Sequence, residues 1–235
     1  KKAYVILGVT GPNEYENNVN NNWYTNYLAQ WCLLYTTKEI LKIKKTHPQH
    51  WNKIKQKVSW QESEIDKWNQ IATQIHFPRH PENDIFLQQD GFLDKTIIPA
   101  SSIDKSERPI NQHWSWDRIL RSPFIKQADV LQGLYLFEEN FDYEFIKKHF
   151  DFYEPLTVHE SSLSACVHSI LASRLGRIEK AYSLYLRTSR LDLDDYNKEV
   201  EEGLHITSMA GTWMSLVQGF GGVRIVNNQL HIDSI

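Results

Sequence analysis

Residues 159–189 read HESSLSACVHSILASRLGRIEKAYSLYLRTS, and this stretch decides the fold class. Apolar positions recur at helical spacing from Ser162 to Leu175, and Gly176 follows where helices commonly end in a left-handed residue. A second helix is expected from Arg177 to Thr188, with Ile178, Ala181, Tyr182 and Tyr185 on one face. Two helices of similar length joined by a short turn make an αα-hairpin. The same period extends outward. Trp23, Tyr27, Trp31, Leu34 and Leu41 mark a helix between Asn18 and Lys45, closed at Thr46-His47-Pro48. Ser59-Trp60-Gln61-Glu62 has the form of a capping box opening a helix towards Ile75, stopped before Pro78.

Residues 78–113 read as irregular, with a short strand at Ile85–Gln88 and a turn at Gly91. Helical patterning returns with Val130, Leu131, Leu134, Tyr135 and Phe137, then at Asp142–Phe152, and last at Ala210–Phe220. Only then does the period change. Val223, Ile225, Leu230 and Ile232 alternate about Asn227-Asn228, the pattern of a two-stranded segment. The expected class is mainly α, with stacked αα-hairpins as either a solenoid or a closed (α/α) barrel. No internal repeat chooses between them.

Composition narrows the function. The 235 residues carry 26 basic and 29 acidic side chains, a net charge of −3, which argues against nucleic acid or an anionic membrane as the main partner. No apolar run approaches the ~20 residues of a membrane span. KKAYVILGVTGPNEY at the start has no small-residue cleavage site after its apolar run, so it reads as part of a fold and not as a signal peptide. Cys32 and Cys166 are too few for a disulfide framework and read as buried inert thiols in a reducing, cytoplasmic setting. The 8 Trp, 11 Tyr and 10 Phe, with abundant Asn, Gln and His, suit sugar handling, because aromatic faces stack on sugar rings while amides bond hydroxyls. A Trp-rich core would share that composition.

Four polar clusters could carry chemistry. Thr10-Gly11-Pro12-Asn13-Glu14-Tyr15-Glu16 and the asparagines that follow precede the first helix. One asparagine suffices as a cap, so the plain reading is a capping loop. The functional one makes a glutamate a general acid. Lys126-Gln127-Ala128-Asp129 opens a helix, either as a solvated start or as donors gripping sugar hydroxyls with Asp129 orienting them. His159-Glu160-Ser161-Ser162 and His205-Ile206-Thr207-Ser208 each combine imidazole, hydroxyls and free N–H groups before a helix, the makings of an anion site, although Ser and Thr there are also ordinary caps. No Walker or GxGxxG pattern and no HExxH spacing is present, so neither a nucleotide nor a metal is expected.

GVTGPNEYENNVNNNWYTN (8–26), IKQADVLQGLY (125–135), HESSLSACVHSILA (159–172) and GLHITSMAGTW (203–213), in that order, closely resemble glycoside hydrolase family 65, its maltose-cleaving phosphorylases in particular. The resemblance implies the later half of an (α/α)6 barrel over residues 1–221, the six-hairpin architecture, and the start of a small C-terminal β-sheet over 222–235. It also implies that the chain is a segment of a longer enzyme whose N-terminal β-sandwich and first barrel helices precede it. The implied reaction is inverting phosphorolysis of an α-glucoside, maltose plus phosphate giving β-glucose 1-phosphate and glucose, with phosphate as co-substrate and no cofactor. Glu14 falls on the family's general acid, Lys126 and Gln127 on residues that bind the transferred glucose. The phosphate pocket is expected from Ser161, Ser162, His205, Thr207 and Ser208, with Gly211 permitting close backbone approach. A cytoplasmic homodimer is implied for the full-length enzyme. Two departures stand out: Asn13 replaces an Asp common in the family, as in the maltose branch, and Glu16-Asn17 replaces a His-Glu pair. The acceptor-side loop would lie upstream of residue 1.

Three other readings remain. An inverting α-glucosidase on the same barrel would want a carboxylate near His205; Glu199, Glu201 and Glu202 lie just upstream, but the loop itself holds no acid. Trehalose, kojibiose and nigerose phosphorylases share the motifs. A non-catalytic helical sugar-binding module would leave Glu14 dispensable. As a segment, the chain is expected to expose apolar helix faces.

Overall fold

The computed structural model describes residues 3–234. Asn22 opens the first helix, α1 (Trp23–Thr46), by accepting from the Thr25 N–H at 2.9 Å. Lys44 and Lys45 occupy its last turn, where cations complement the helix dipole. His47 then ends α1 and precedes Pro48, the first residue of α2 (Pro48–Lys57), a helix that the sequence reading missed. Proline closes one helix and starts the next because its absent N–H is surplus in a first turn. The third helix, α3 (Ser63–Gln74), begins three residues later than the Ser59 box suggests. Ser59 is held at φ +54, and it is Glu64 that accepts from the Gln61 N–H, at 2.9 Å.

The long connection contains short turns and two brief helices, α4 (Ile110–His113) and α5 (Trp116–Arg121). Ile85–Gln88 is extended but forms only an isolated bridge, Arg79 with Phe86, and no strand. Gly91 takes the expected left-handed turn at φ +73. Beyond it come α6 (Val130–Leu136), α7 (Tyr143–Tyr153) capped by Asp142, α8 (Ala165–Arg174) and α9 (Ile178–Ser189). The last helix, α10 (Ile206–Met214), starts four residues before the expected Ala210 and runs into a π-helical segment at Ser215–Phe220. A hairpin, β1 (Val223–Val226) with β2 (Gln229–Ile232), turns at Asn227 and Asn228, both at positive φ as a tight turn requires.

Packing centres on α8. Every residue from Ala165 to Ser173 is buried, so its neighbours enclose it on all sides. The main core joins it to Trp23, Phe86, Leu131, Leu134, Ile146 and Phe150. Trp23 stacks on Tyr27 and Phe86 with ring centres 5.0 Å apart. A smaller cluster gathers Tyr15, Ile103, Ile110, Ile119, Phe124 and Val158 beneath the loops.

Some expected faces are covered only in part. On α9 the buried positions are Ala181, Leu184 and Thr188, while Ile178 and Tyr182 are exposed. Cys166 is buried but Cys32 is exposed, because α1 shows its Trp31–Leu34–Tyr35–Leu41 side to solvent. Ile206, Met209 and Trp213 of α10 and Ile225, Leu230 and Ile232 of the hairpin are exposed as well. The architecture is mainly helical with one short antiparallel pair, and it leaves open the apolar faces that the sequence suggested.

Candidate functional site

A buried polar knot sets the loop that carries Glu14. Asn13 is fully buried. Its main-chain N–H donates to Asp129 Oδ2 at 3.1 Å, and its side-chain Oδ1 accepts from the Lys126 N–H at 3.0 Å and the Tyr15 N–H at 3.2 Å. Asn22, besides capping α1, donates from Nδ2 to both Asp129 carboxylate oxygens at 3.0 and 3.1 Å. Residues far apart in sequence are thereby locked in register. Asp129 opens α6 without capping it, since its carboxylate faces the Asn13 loop. Burial pushes its pKa up to about 7, against the N–H donors of Asn13 and Asn22, which favour the ionised form.

This register brings two candidates together: Lys126 Nζ lies 2.5 Å from Glu14 Oε2. Glu14 remains half exposed, and Gln127 beside it is buried with Oε1 making no hydrogen bond among the described residues. Such an acceptor is ready for a donor such as a sugar hydroxyl. Glu16 is buried in an ion pair with Lys95, whose pKa burial lowers to about 8. It serves the loop's anchoring.

One hydrogen bond connects this loop to the serine cluster. Tyr15 Oη donates to Glu160 Oε2 at 3.1 Å, placing Glu14 and Ser161 each one residue from the contact. Glu160 also accepts from the Ile110 N–H at 2.8 Å and pairs with Arg108 Nε at 2.9 Å. Burial, then the Glu160 charge, raises the Tyr15 phenol well above its ordinary pKa. Glu160 is thus a buried junction, a role its place in HESS did not suggest.

The two hydroxyl-rich loops meet. Thr207 Oγ1 donates to Ser162 Oγ at 2.6 Å. Ser161, Ser162 and Ser208 line one seam with Arg187 and Thr188, closed too tightly to admit a water molecule. Because α10 already begins at Ile206, Thr207 and Ser208 lie in its first turn, and Ser208 donates to the Thr188 carbonyl. Gly211 is buried where α10 crosses α8; a Cβ there would lie 2.8 Å from Cys166 Cβ. Its missing side chain is used in helix packing.

His205 has an acidic neighbour that its own loop does not reveal. Asp192 Oδ1 sits 2.6 Å from His205 Nδ1, its Oδ2 accepts from the His205 N–H at 2.9 Å, and Glu199 lies 3.9 Å from Nε2. Against partial burial, the two His205 hydrogen bonds lower the Asp192 pKa. Nothing in the LDLDD run singles out Asp192. Arg187 was likewise unmarked, as one cation in an amphipathic helix. Among the described residues no group of three His, Cys, Asp or Glu could hold a metal ion, and no helix is long and apolar enough to cross a membrane.

Residues 1–214 match the family described as "Glycosyl hydrolase family 65 central catalytic domain". Maltose phosphorylase of Bacillus subtilis (strain 168) is 53% identical over 230 residues, covering 98% of this chain and 30% of that protein. An alpha,alpha-trehalose phosphorylase of Thermoanaerobacter brockii is 43% identical with the same coverage. A solved structure, "Putative kojibiose phosphorylase from human microbiome", superposes with a TM-score of 0.87 at 39% identity, covering 98% of this chain and 33% of that one. The chain spans about 30% of the length of the curated relatives it matches.

Proposed function

The chain belongs to glycosyl hydrolase family 65, and from that premise we propose that it is the catalytic-barrel part of a longer disaccharide phosphorylase acting on maltose. Residues 1–221 form the later half of an (α/α)6 barrel in this reading, with residues 222–235 starting a C-terminal β-sheet domain. A cytoplasmic homodimer that uses phosphate as co-substrate belongs to the same proposal.

The observation that carries it is the linkage from Glu14 through Tyr15 and Glu160 to the paired hydroxyls of Ser162 and Thr207. It sets an acid and an anion-suited cluster on one hydrogen-bonded frame. Glu14 gives its proton to the glycosidic oxygen as the C1–O bond breaks. A phosphate oxygen forms the new bond to C1 from the opposite face, so the α-linkage becomes a β-phosphate. A general acid must carry a proton, so the 2.5 Å contact with Lys126 has to open. Glucose hydroxyls binding Lys126 and the free Gln127 acceptor supply that opening. Ser161, Ser162, Thr207 and His205 hold phosphate, while Ser208 and Gly211 seat the first turns of α10 behind them. The maltose assignment is supported by the 53% identity to a maltose phosphorylase; trehalose- and kojibiose-cleaving relatives share the same framework.

A second reading, hydrolysis with inversion, gains from the Asp192 and Glu199 carboxylates beside His205, since an inverting hydrolase activates water with a carboxylate base. Maltose consumption by the full-length enzyme, with and without phosphate, separates the two. Phosphorolysis requires phosphate and yields β-glucose 1-phosphate, and Glu14→Gln lowers kcat by about 10²–10⁴. Glucose release at an unchanged rate without phosphate would refute the proposal.

A further inference from the structure

The proposed phosphate residues present hydroxyls but little free positive charge. His205 is the one cation-capable side chain among them, and Asp192 and Glu199 face its ring at 2.6 and 3.9 Å. A phosphate dianion needs a countercharge. Arg187 of α9 lines the same closed seam as Ser161, Ser162 and Ser208; among the described residues it makes no ion pair with a carboxylate, and the nearby charges of Glu160 and Arg108 act on it in opposite directions. Its Nε and Nη2 both donate to the His159 carbonyl, at 3.2 and 2.8 Å, and Nη2 reaches Asn197 Oδ1 at 3.3 Å. The guanidinium also lies over the Tyr196 ring, 5.4 Å from its centre. His159 has φ +57, a left-handed conformation that a residue with a Cβ keeps only when held. The fork on its carbonyl supplies that hold, and the next residues along the chain are Glu160, Ser161 and Ser162.

We propose that Arg187 is the positioning residue of the phosphate pocket: its guanidinium fixes the left-handed turn that presents Ser161 and Ser162, and its unpaired charge favours an anion there. The inference rests on the phosphorolytic reading above. Lysine in its place keeps the charge but loses the planar two-donor fork, whereas methionine loses both.

The test is steady-state kinetics of full-length wild type, Arg187→Lys and Arg187→Met, varying phosphate and maltose separately. Arg187→Met raises the KM for phosphate by about tenfold or more while the KM for maltose stays within about twofold, and Arg187→Lys falls between. A purely structural arginine would move both KM values together or lower only the yield of folded enzyme. Either result, or an unchanged phosphate KM, overturns the inference. Should Arg187→Met not fold, Asn197→Ala, which removes one acceptor of the fork, is expected to raise the phosphate KM alone, by about twofold; equal shifts in both KM values would count against the idea. Phosphate-independent turnover by wild type would instead remove the phosphorolytic reading itself. Phosphate-dependent turnover with unmoved phosphate KM in the variants removes only the role of Arg187.

Discussion

Replacing Asn13 by alanine tests whether the buried knot positions Glu14. The Asn13 side chain accepts from the Tyr15 and Lys126 N–H groups at 3.2 and 3.0 Å and donates weakly to Gln88 Oε1 at 3.4 Å. Alanine leaves two main-chain donors without acceptors. Tyr15 is buried and its N–H would stay unsatisfied, whereas Lys126 is partly exposed and water can reach it. Allowing the full penalty for one and a partial one for the other, the loss comes to about 2–4 kcal/mol. The Lys126 N–H would then lose its acceptor in the Asn13 loop, leaving the Asn13 N–H to Asp129 bond and the Glu14–Lys126 contact to join the two segments, and that contact would loosen. Misplacement of this kind lowers kcat by about 10–100-fold. Asn13→Asp keeps both acceptor positions but sets a second carboxylate beside Asp129, so its loss should be smaller than that of alanine. Urea denaturation followed by tryptophan fluorescence, with kinetics on the same full-length preparations, gives both numbers. If alanine costs less than about 0.5 kcal/mol, or if Asp and Ala lower kcat equally, the knot does not position the acid.

Two further outcomes follow from burial. His149 accepts from the Phe86 N–H at Nε2, 2.8 Å, and bonds the Phe145 carbonyl through Nδ1, also 2.8 Å, so it sits neutral in the core. Burial lowers its pKa to about 4 and that of His168 to about 3, from an ordinary 6.5. The unfolded chain therefore binds more protons at these sites between pH 6.5 and 4, and their stabilisation is lost as pH falls through that window. Asp129, raised from 3.8 to about 7, acts oppositely there. Burial also lowers the His159 pKa, in the same direction as the other two, so at least two groups outweigh one and the net loss is about 1.4 kcal/mol per pH unit or more, measurable by denaturation at stepped pH; stability that is flat or rises on acidification would contradict it. Gly211→Ala places a Cβ 2.8 Å from Cys166 Cβ and should lower stability by about 1–3 kcal/mol. A thermal midpoint equal to wild type would show that helix packing does not require glycine there.

Much of the fold could be read from local patterns. The αα-hairpin around Gly176, an asparagine cap before the first helix and the Asn227-Asn228 turn all depend on interactions within a few residues. Errors arose where local signals compete. The Ser59 box is outcompeted by Glu64, and Pro48 reads as a stop although it also begins α2. The expected faces of α9 and α1 are buried at Ala181 and Trp23 but open at Ile178, Tyr182, Trp31 and Leu41, because helical period shows that a stripe exists but not which part of it the neighbours cover. Tyr182 and Leu184 are two residues apart, yet only Leu184 is buried.

The site divides along the same line. The residue types alone marked a glutamate of the Asn13 loop, Lys126, Gln127 and the two hydroxyl-rich loops, because these are dense local runs with a recognisable chemistry, and the resemblance to the family singled out Glu14. Tertiary structure alone decided that Lys126 meets Glu14, that Ser162 meets Thr207, that Glu160 joins the loops, and that Asp192 and Arg187 stand at the cluster. The Glu14–Lys126 contact spans 112 positions and the Tyr15–Glu160 bond 145. Such pairings are set by how α6, α8, α9 and α10 pack, and packing is the sum of many weak, non-directional contacts. A motif can announce which atoms are present; only the packed core fixes the ångström distances between them.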